Sequence, residues 1–173
     1  MPDVIKIALI GLTGIAAITD LYSSRIPNAL VIAGLIAGLS LNTWLNGWSG
    51  LAHSLLGFGL AALVYVALFM LRRMAGGDVK LMAAAGAIVG AKDWFTLFIL
   101  ASIAGGVIAL GLLLAKNALG TAFSNIMYIV KELAHFRAPH KSRPDLDVSS
   151  PQSLRMPHGV AIAVGAVALL MTQ

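Results

Sequence analysis

Residues 26–71 read IPNALVIAGLIAGLSLNTWLNGWSGLAHSLLGFGLAALVYVALFML and contain no Asp, Glu, Lys or Arg. One helical crossing of a bilayer takes about 20 apolar residues. A charge-free run of 46 residues therefore holds two crossings. Asn, Gly, Ser and two Trp cluster between Asn42 and Gly50, as in an interfacial loop. The expected helices are 28–45 and 51–71. Outward from this pair, the apolar pattern predicts helices at about 4–19, 76–91, 94–115 and 157–172, with Trp94 opening the fifth.

The whole chain fits that reading. Of its 173 residues 59% are apolar and 11% are charged, against roughly a quarter charged in soluble domains. The mean hydropathy is +0.90. These values exclude a soluble globular enzyme, a disordered tail and a coiled coil. The absence of cysteine excludes a disulfide framework, a zinc ribbon and a thiol nucleophile. The net charge of +5 is no nucleic-acid footprint, because the basic residues sit between apolar spans. The partner implied is the lipid bilayer. The fold class is all-α: a polytopic membrane protein of about six transmembrane helices, forming one membrane-embedded domain over 1–173.

Charge orients the spans. Arg25, then Arg72, Arg73 and Lys80, then Lys116, Lys131, Arg137, Lys141, Arg143 and Arg155 fall in loops 1, 3 and 5. The other side carries only Lys6 and Lys92. The positive-inside rule puts loops 1, 3 and 5 in the cytoplasm and both termini outside. No basic n-region precedes the first apolar stretch, so helix 1 is expected to remain in the mature protein. The long cytoplasmic loop, 116–156, opens with Leu119, Phe123, Ile126, Ile129, Val130 and Leu133 at near-helical spacing. That predicts an amphipathic helix on the membrane surface over 118–136, followed by a Pro-rich loop over 138–151. Gly34–Gly38 and Gly86–Gly90 are G-x-x-x-G pairs, read as ordinary close packing in lipid.

The stretch from Asp78 to Ala91 is short, about 20 Å against about 30 Å of hydrocarbon. Either the chain enters the bilayer before Asp78 or this helix starts below the interface. Both put Asp78 near the membrane boundary. Asp3, Asp93, Glu132, Asp145 and Asp147 lie in termini or loops beside basic residues and read as solvated charges. Asp20 ends helix 1 and Asp78 starts helix 4, at one cytoplasmic face by the topology above. Singly, Asp20 is a helix-end acid and Asp78 an N-cap. As a pair they are costly unless water, a partner or a function keeps them. Two carboxylates brought together can share a proton, so that one activates water while the other protonates a departing amide.

Around Asp20 the chain continues Leu21-Tyr22-Ser23-Ser24-Arg25-Ile26-Pro27-Asn28. Pro27 keeps Ile26 out of a helix, and Asn28 can cap helix 2. Gly76 and Gly77 allow a bend before Asp78 and close approach of another backbone, as a protease must offer its substrate strand. Lys80 can pair with Asp78, with lipid phosphate or with a substrate acid; lipid or structural pairing ranks first. His53 reads as an interfacial residue near the outer end of helix 3, and His158 as a polar helix-end residue. No G-x-S-x-G elbow and no H-E-x-x-H is present.

Asp20 with Arg25-Ile26-Pro27-Asn28, then Gly76-Gly77-Asp78-Val79-Lys80-Leu81, resembles the type IV prepilin peptidases, most of all the short form that serves tight-adherence (Flp-type) pili. Pro157-His158-Gly159-Val160-Ala161-Ile162-Ala163 looks like that family's final helix, so the resemblance runs through nearly the whole chain. It implies a membrane aspartic endopeptidase of the bacterial inner membrane with Asp20 and Asp78 as the catalytic pair. Gly76, Gly77, Lys80, Arg25, Pro27 and Asn28 would position substrate or support the site. The substrate implied is a membrane-anchored prepilin, cut at the cytoplasmic face just before its hydrophobic segment. Water is the nucleophile, so neither cofactor nor metal is required. Where the family motif Gly-x-Gly-Asp has its first glycine, this chain has Ala75. The Cys-x-x-Cys domain of longer members is absent, so zinc and methyl transfer are not implied. Rival readings are a peptidase for pseudopilin or flagellin-like precursors, a small membrane carrier using boundary acids as a relay, and a silent pilus-assembly scaffold.

Overall fold

A computed structural model describes residues 1–23, 25–70, 76–117, 119–120, 123–124, 127–128 and 158–173. They form four α-helices, α1 (Asp3–Ser23), α2 (Asn28–Met70), α3 (Gly76–Ala115) and α4 (His158–Met171). No strand occurs among the described residues. The first three helices are long and apolar enough to cross a membrane, and α4 is a shorter apolar helix. Of the amphipathic helix expected over 118–136, only residues 119–120, 123–124 and 127–128 are described, and these are helical; the loop over 138–151 lies entirely outside the described residues. Met1–Gly105 and Pro157–Gln173 together make one compact unit, and Gly106–Met156 makes a second. The packing below belongs to the first.

At 43 residues, a straight α2 would reach about 65 Å, twice the hydrocarbon thickness. It is broken at Gly47, whose φ of 59° and ψ of −136° are not helical. A Cβ added to Gly50 would land on the carbonyl oxygen of Asn42. Residues eight apart in a continuous helix are about 12 Å apart, so the chain doubles back here. The loop expected between Asn42 and Gly50 is thus replaced by a single left-handed glycine, a conformation glycine adopts without steric cost. Trp44 and Trp48 flank it and are exposed.

α3 is broken in the same way at Gly90, with φ 79° and ψ 173°. Gly86 lies against Gly57 and Ala61 of α2, and Gly57 also lies against Gly90. Tyr65, further along α2, meets the rings of Trp94 and Phe98. In a straight α3 those rings would lie on the far side of Gly57. The chain therefore reverses at Gly90, one residue short of the expected end at Ala91.

The stretch from Gly76 to Val89 is accordingly only about 20 Å long, and Leu81 through Gly90 are all buried. The small side chains of Ala83, Ala84, Ala85 and Ala87 let both halves of α2 close over it. A Cβ on Gly38 would sit 2.7 Å from the Ala87 carbonyl carbon. A helix ending inside an apolar interior leaves its last carbonyls without partners. Side chains of α2 supply them. The Asn42 amide donates to the carbonyls of Gly38 (2.9 Å), Ala87 (3.1 Å) and Ile88 (2.9 Å). Ser54 Oγ donates to Ala87 at 2.5 Å, and His53 Nε2 lies 3.2 Å from the Val89 carbonyl. His53 is therefore part of this cap, a role its interfacial reading did not include.

The glycine pairs are used within the chain. Gly34 sits against Leu12 of α1, Gly38 against Ala87 and Ile88, and Gly86 against Gly57. α4 packs along α1, and its Gly165 lies against Ala101 of α3. Leu9, Leu12, Ala16, Ile162, Ala166 and Leu169 are buried in the shared core.

Candidate active site

Asp20 stands in the last turn of α1 and is half-buried. Its Oδ2 accepts a hydrogen bond from the backbone N–H of Gly159 at 2.8 Å. Gly159 is the second residue of α4, where backbone N–H groups have no acceptor within their own helix. A Cβ there would lie 2.9 Å from Asp20 Cβ and 3.2 Å from the Ala16 carbonyl oxygen, so only glycine brings α4 this close to α1.

α1 ends at Ser23, whose Oγ donates to the carbonyls of Thr19 (2.7 Å) and Arg25 (3.2 Å). Arg25, Ile26 and Pro27 are non-helical, as Pro27 requires of the residue before it. The Pro27 carbonyl accepts from Leu30 (3.1 Å) and Val31 (3.3 Å), so Pro27 is the residue that caps α2. Asn28, expected as that cap, is instead the first helical residue. Its Oδ1 accepts from Lys80 Nζ at 3.0 Å.

Gly76 and Gly77 form the first turn of α3 with helical backbone, and neither has a positive φ. The bend expected from the glycine pair is therefore not at these two residues. A Cβ on Gly77 would be 3.5 Å from Ile26 Cβ, an ordinary packing distance. Asp78 is the third residue of α3 and 5% exposed. It sits in the first helical turn, where the N-terminal dipole favours an acid, rather than at the cap. Two contacts thus tie the segment after Asp20 to the start of α3: Ile26 with Gly77, and Asn28 with Lys80. Arg25 and Pro27 are exposed on that segment. His158 opens α4 beside Gly159.

Tyr65 is a neighbour that the sequence reading passed over. It is buried, and its phenol feels the charge of Asp78. The ring is held edge-on by Trp94 (centroids 6.2 Å apart) and Phe98 (5.8 Å), which stack on each other at 5.6 Å. Trp94 Nε1 is buried and has no hydrogen-bond partner among the described residues. Tyr65 lies inside the charge-free run, where the apolar pattern makes it look like any other core aromatic. Gly159 was also missed as a site residue, although it stands in the His158-Gly159-Val160 stretch that looked like the family's last helix.

A model of the type IV leader peptidase family matches residues 7–110. The chain belongs to that family. The matched stretch contains both Asp20 and Asp78, the tied segment between Ile26 and Asn28, and Tyr65. No curated protein and no solved structure matches the chain. For a type IV leader peptidase, long apolar helices and a membrane-anchored substrate belong together, and three helices here have the length and composition to span.

Proposed function

We propose that this type IV leader peptidase is an aspartic endopeptidase that removes the leader of Flp-type prepilins at the cytoplasmic membrane face. Asp20 and Asp78 are its two acids. One takes a proton from water as the water oxygen attacks the scissile carbonyl carbon; the other delivers a proton to the departing amide nitrogen. The helical segments on either side of Gly47 and of Gly90 are, with α1 and α4, its six membrane-embedded spans, the fourth of them (76–89) shorter than the hydrocarbon thickness. Loops 1, 3 and 5 are cytoplasmic and the termini outside.

The observation that carries this reading is the family match over 7–110, a stretch that holds both acids. It is supported by the tie between their segments, Ile26 on Gly77 and Lys80 on Asn28. Arg25, Pro27 and Asn28 are exposed beside them, where a leader arriving from the cytoplasm can be seated.

Co-expression with a Flp-type prepilin tests the proposal, with leader removal followed by gel shift and N-terminal sequencing. Asp20→Asn and Asp78→Asn should insert normally and leave the precursor uncut, while a Lys92→Gln control cuts. Cleavage by either Asp variant would overturn the dyad. A wild-type chain that cuts pseudopilin or flagellin-like precursors but not the Flp-type substrate would overturn the specificity and leave the dyad standing.

A further inference from the structure

We propose that Gly159 is a positioning residue of the peptidase: its backbone N–H holds one oxygen of Asp20 and so fixes how the other oxygen meets water or substrate. The inference rests on the reading of Asp20 as a catalytic acid.

Three observations carry it. The first is the bond itself, Gly159 N–H to Asp20 Oδ2 at 2.8 Å, made between residues 139 apart in sequence. A donor in the first turn of a helix is free to serve a side chain, because no carbonyl of its own helix can accept from it. It also presents the partial positive charge of the helix N-terminus to the carboxylate. The second is the fit. A Cβ at 159 would meet Asp20 Cβ at 2.9 Å, Asp20 Oδ2 at 3.1 Å and the Ala16 carbonyl oxygen at 3.2 Å. The missing side chain is what lets the N–H reach the acid. The third is that α4 is anchored along its length. Gly165 lies against the backbone of Ala101, and Gln173 accepts from the N-terminal amine of Met1 at 3.3 Å. The donor is thus on an element that cannot drift from α1 without breaking packing at several points.

The consequence for the reaction is orientational. With Oδ2 committed to the backbone and no described residue bonded to Oδ1, Asp20 offers one defined oxygen rather than two interchangeable ones. That lowers the reorganisation needed to align water, acid and carbonyl. The contact also caps α4, so a purely structural role has to be separated from a positioning one.

The test replaces the Gly159 amide by an ester, using glycolic acid at 159 during cell-free synthesis of the full chain into nanodiscs. The substitution removes the N–H and adds no side chain. An ester at Gly11, where a Cβ meets nothing within 4 Å, controls for the loss of a backbone hydrogen bond. With a Flp-type prepilin as substrate, the 159 ester should lower kcat by roughly 10- to 100-fold and leave KM within about twofold. The Gly11 ester should keep wild-type turnover. A 159 ester that turns over like the Gly11 ester, or that loses activity through KM alone, overturns the positioning role. Asp20→Asn is run beside it. An inactive Asp20→Asn with an active 159 ester discards only the Gly159 proposal; an active Asp20→Asn discards the dyad and the proposal with it. A readout independent of turnover comes from the Gly159 amide proton in ¹⁵N-glycine-labelled protein. Its resonance should move in Asp20→Asn and stay in Asp78→Asn; the absence of a shift in Asp20→Asn overturns the proposal.

Discussion

The side-chain amide of Asn42 holds the Ile88 carbonyl at 2.9 Å, joining residues 46 apart in sequence. It thereby closes the buried end of the helical segment whose other end carries Asp78. Asn42→Leu would leave the Ile88 carbonyl without its side-chain donor in an apolar interior, and Ala87 with Ser54 alone. A loss of about 2 kcal/mol or more is expected, read as a lower unfolding midpoint of the protein in nanodiscs. Ser54→Ala should cost less, because Asn42 still serves Ala87.

Gly57 and Gly14 make a matched pair of substitutions. A Cβ on Gly57 would run into the Gly86 carbonyl oxygen, a backbone atom that cannot swing aside. Gly57→Ala should therefore destabilise by about 1 to 3 kcal/mol. A Cβ on Gly14 meets nothing within 4 Å, so Gly14→Ala should stay within about 0.5 kcal/mol of wild type. Equal effects from the two would contradict the packing described around Gly86.

Lys80 and Asn28 are both exposed. Their bond should add less than about 1 kcal/mol to stability. Its value lies in holding the Arg25–Pro27 segment against α3. Lys80→Met and Asn28→Ala should each lower prepilin cleavage by roughly 3- to 10-fold. The double variant should be no worse than the poorer single one, because both remove the same interaction. Additive losses would show that the two residues act separately.

Tyr65→Phe keeps the ring contacts with Trp94 and Phe98 and removes only the hydroxyl, which interacts electrostatically with Asp78. Insertion and unfolding midpoint should match wild type while kcat falls. Tyr65→Leu should instead lose stability as well, since the aromatic cluster loses its edge-on ring. Unchanged turnover in Tyr65→Phe would show that the phenol serves packing alone.

The charge-free run over 26–71 marked a membrane protein because hydropathy acts locally and additively. Pro27 and the acids at helix ends were legible for the same reason: each acts on its immediate neighbours. What could not be read is non-local. Gly47 and Gly90 look like any other glycines in a Gly-rich chain, and a reversal that needs one residue leaves no polar loop to notice. The clustering of Asn, Ser and Trp around Gly47 pointed to the right place and to too long a connection. Asn42 and His53 read as interfacial polar residues and Ser54 drew no reading at all, because the carbonyls they cap lie 33 to 46 positions away. Asn28 was expected to bond its own helix and bonds Lys80 across 52 residues instead. The Asp20–Gly159 contact had no sequence signal beyond the family likeness of the last helix.

The distance along the chain between Asp20 and Gly159 also sets an order in time. A ribosome adds about 5 to 20 residues per second, so the 81 residues from Asp78 to Gly159 take about 4 to 16 s to make. Throughout that interval both acids have been synthesised and the backbone donor that holds Asp20 has not. The hold on Asp20 is therefore completed only once α4 has been made.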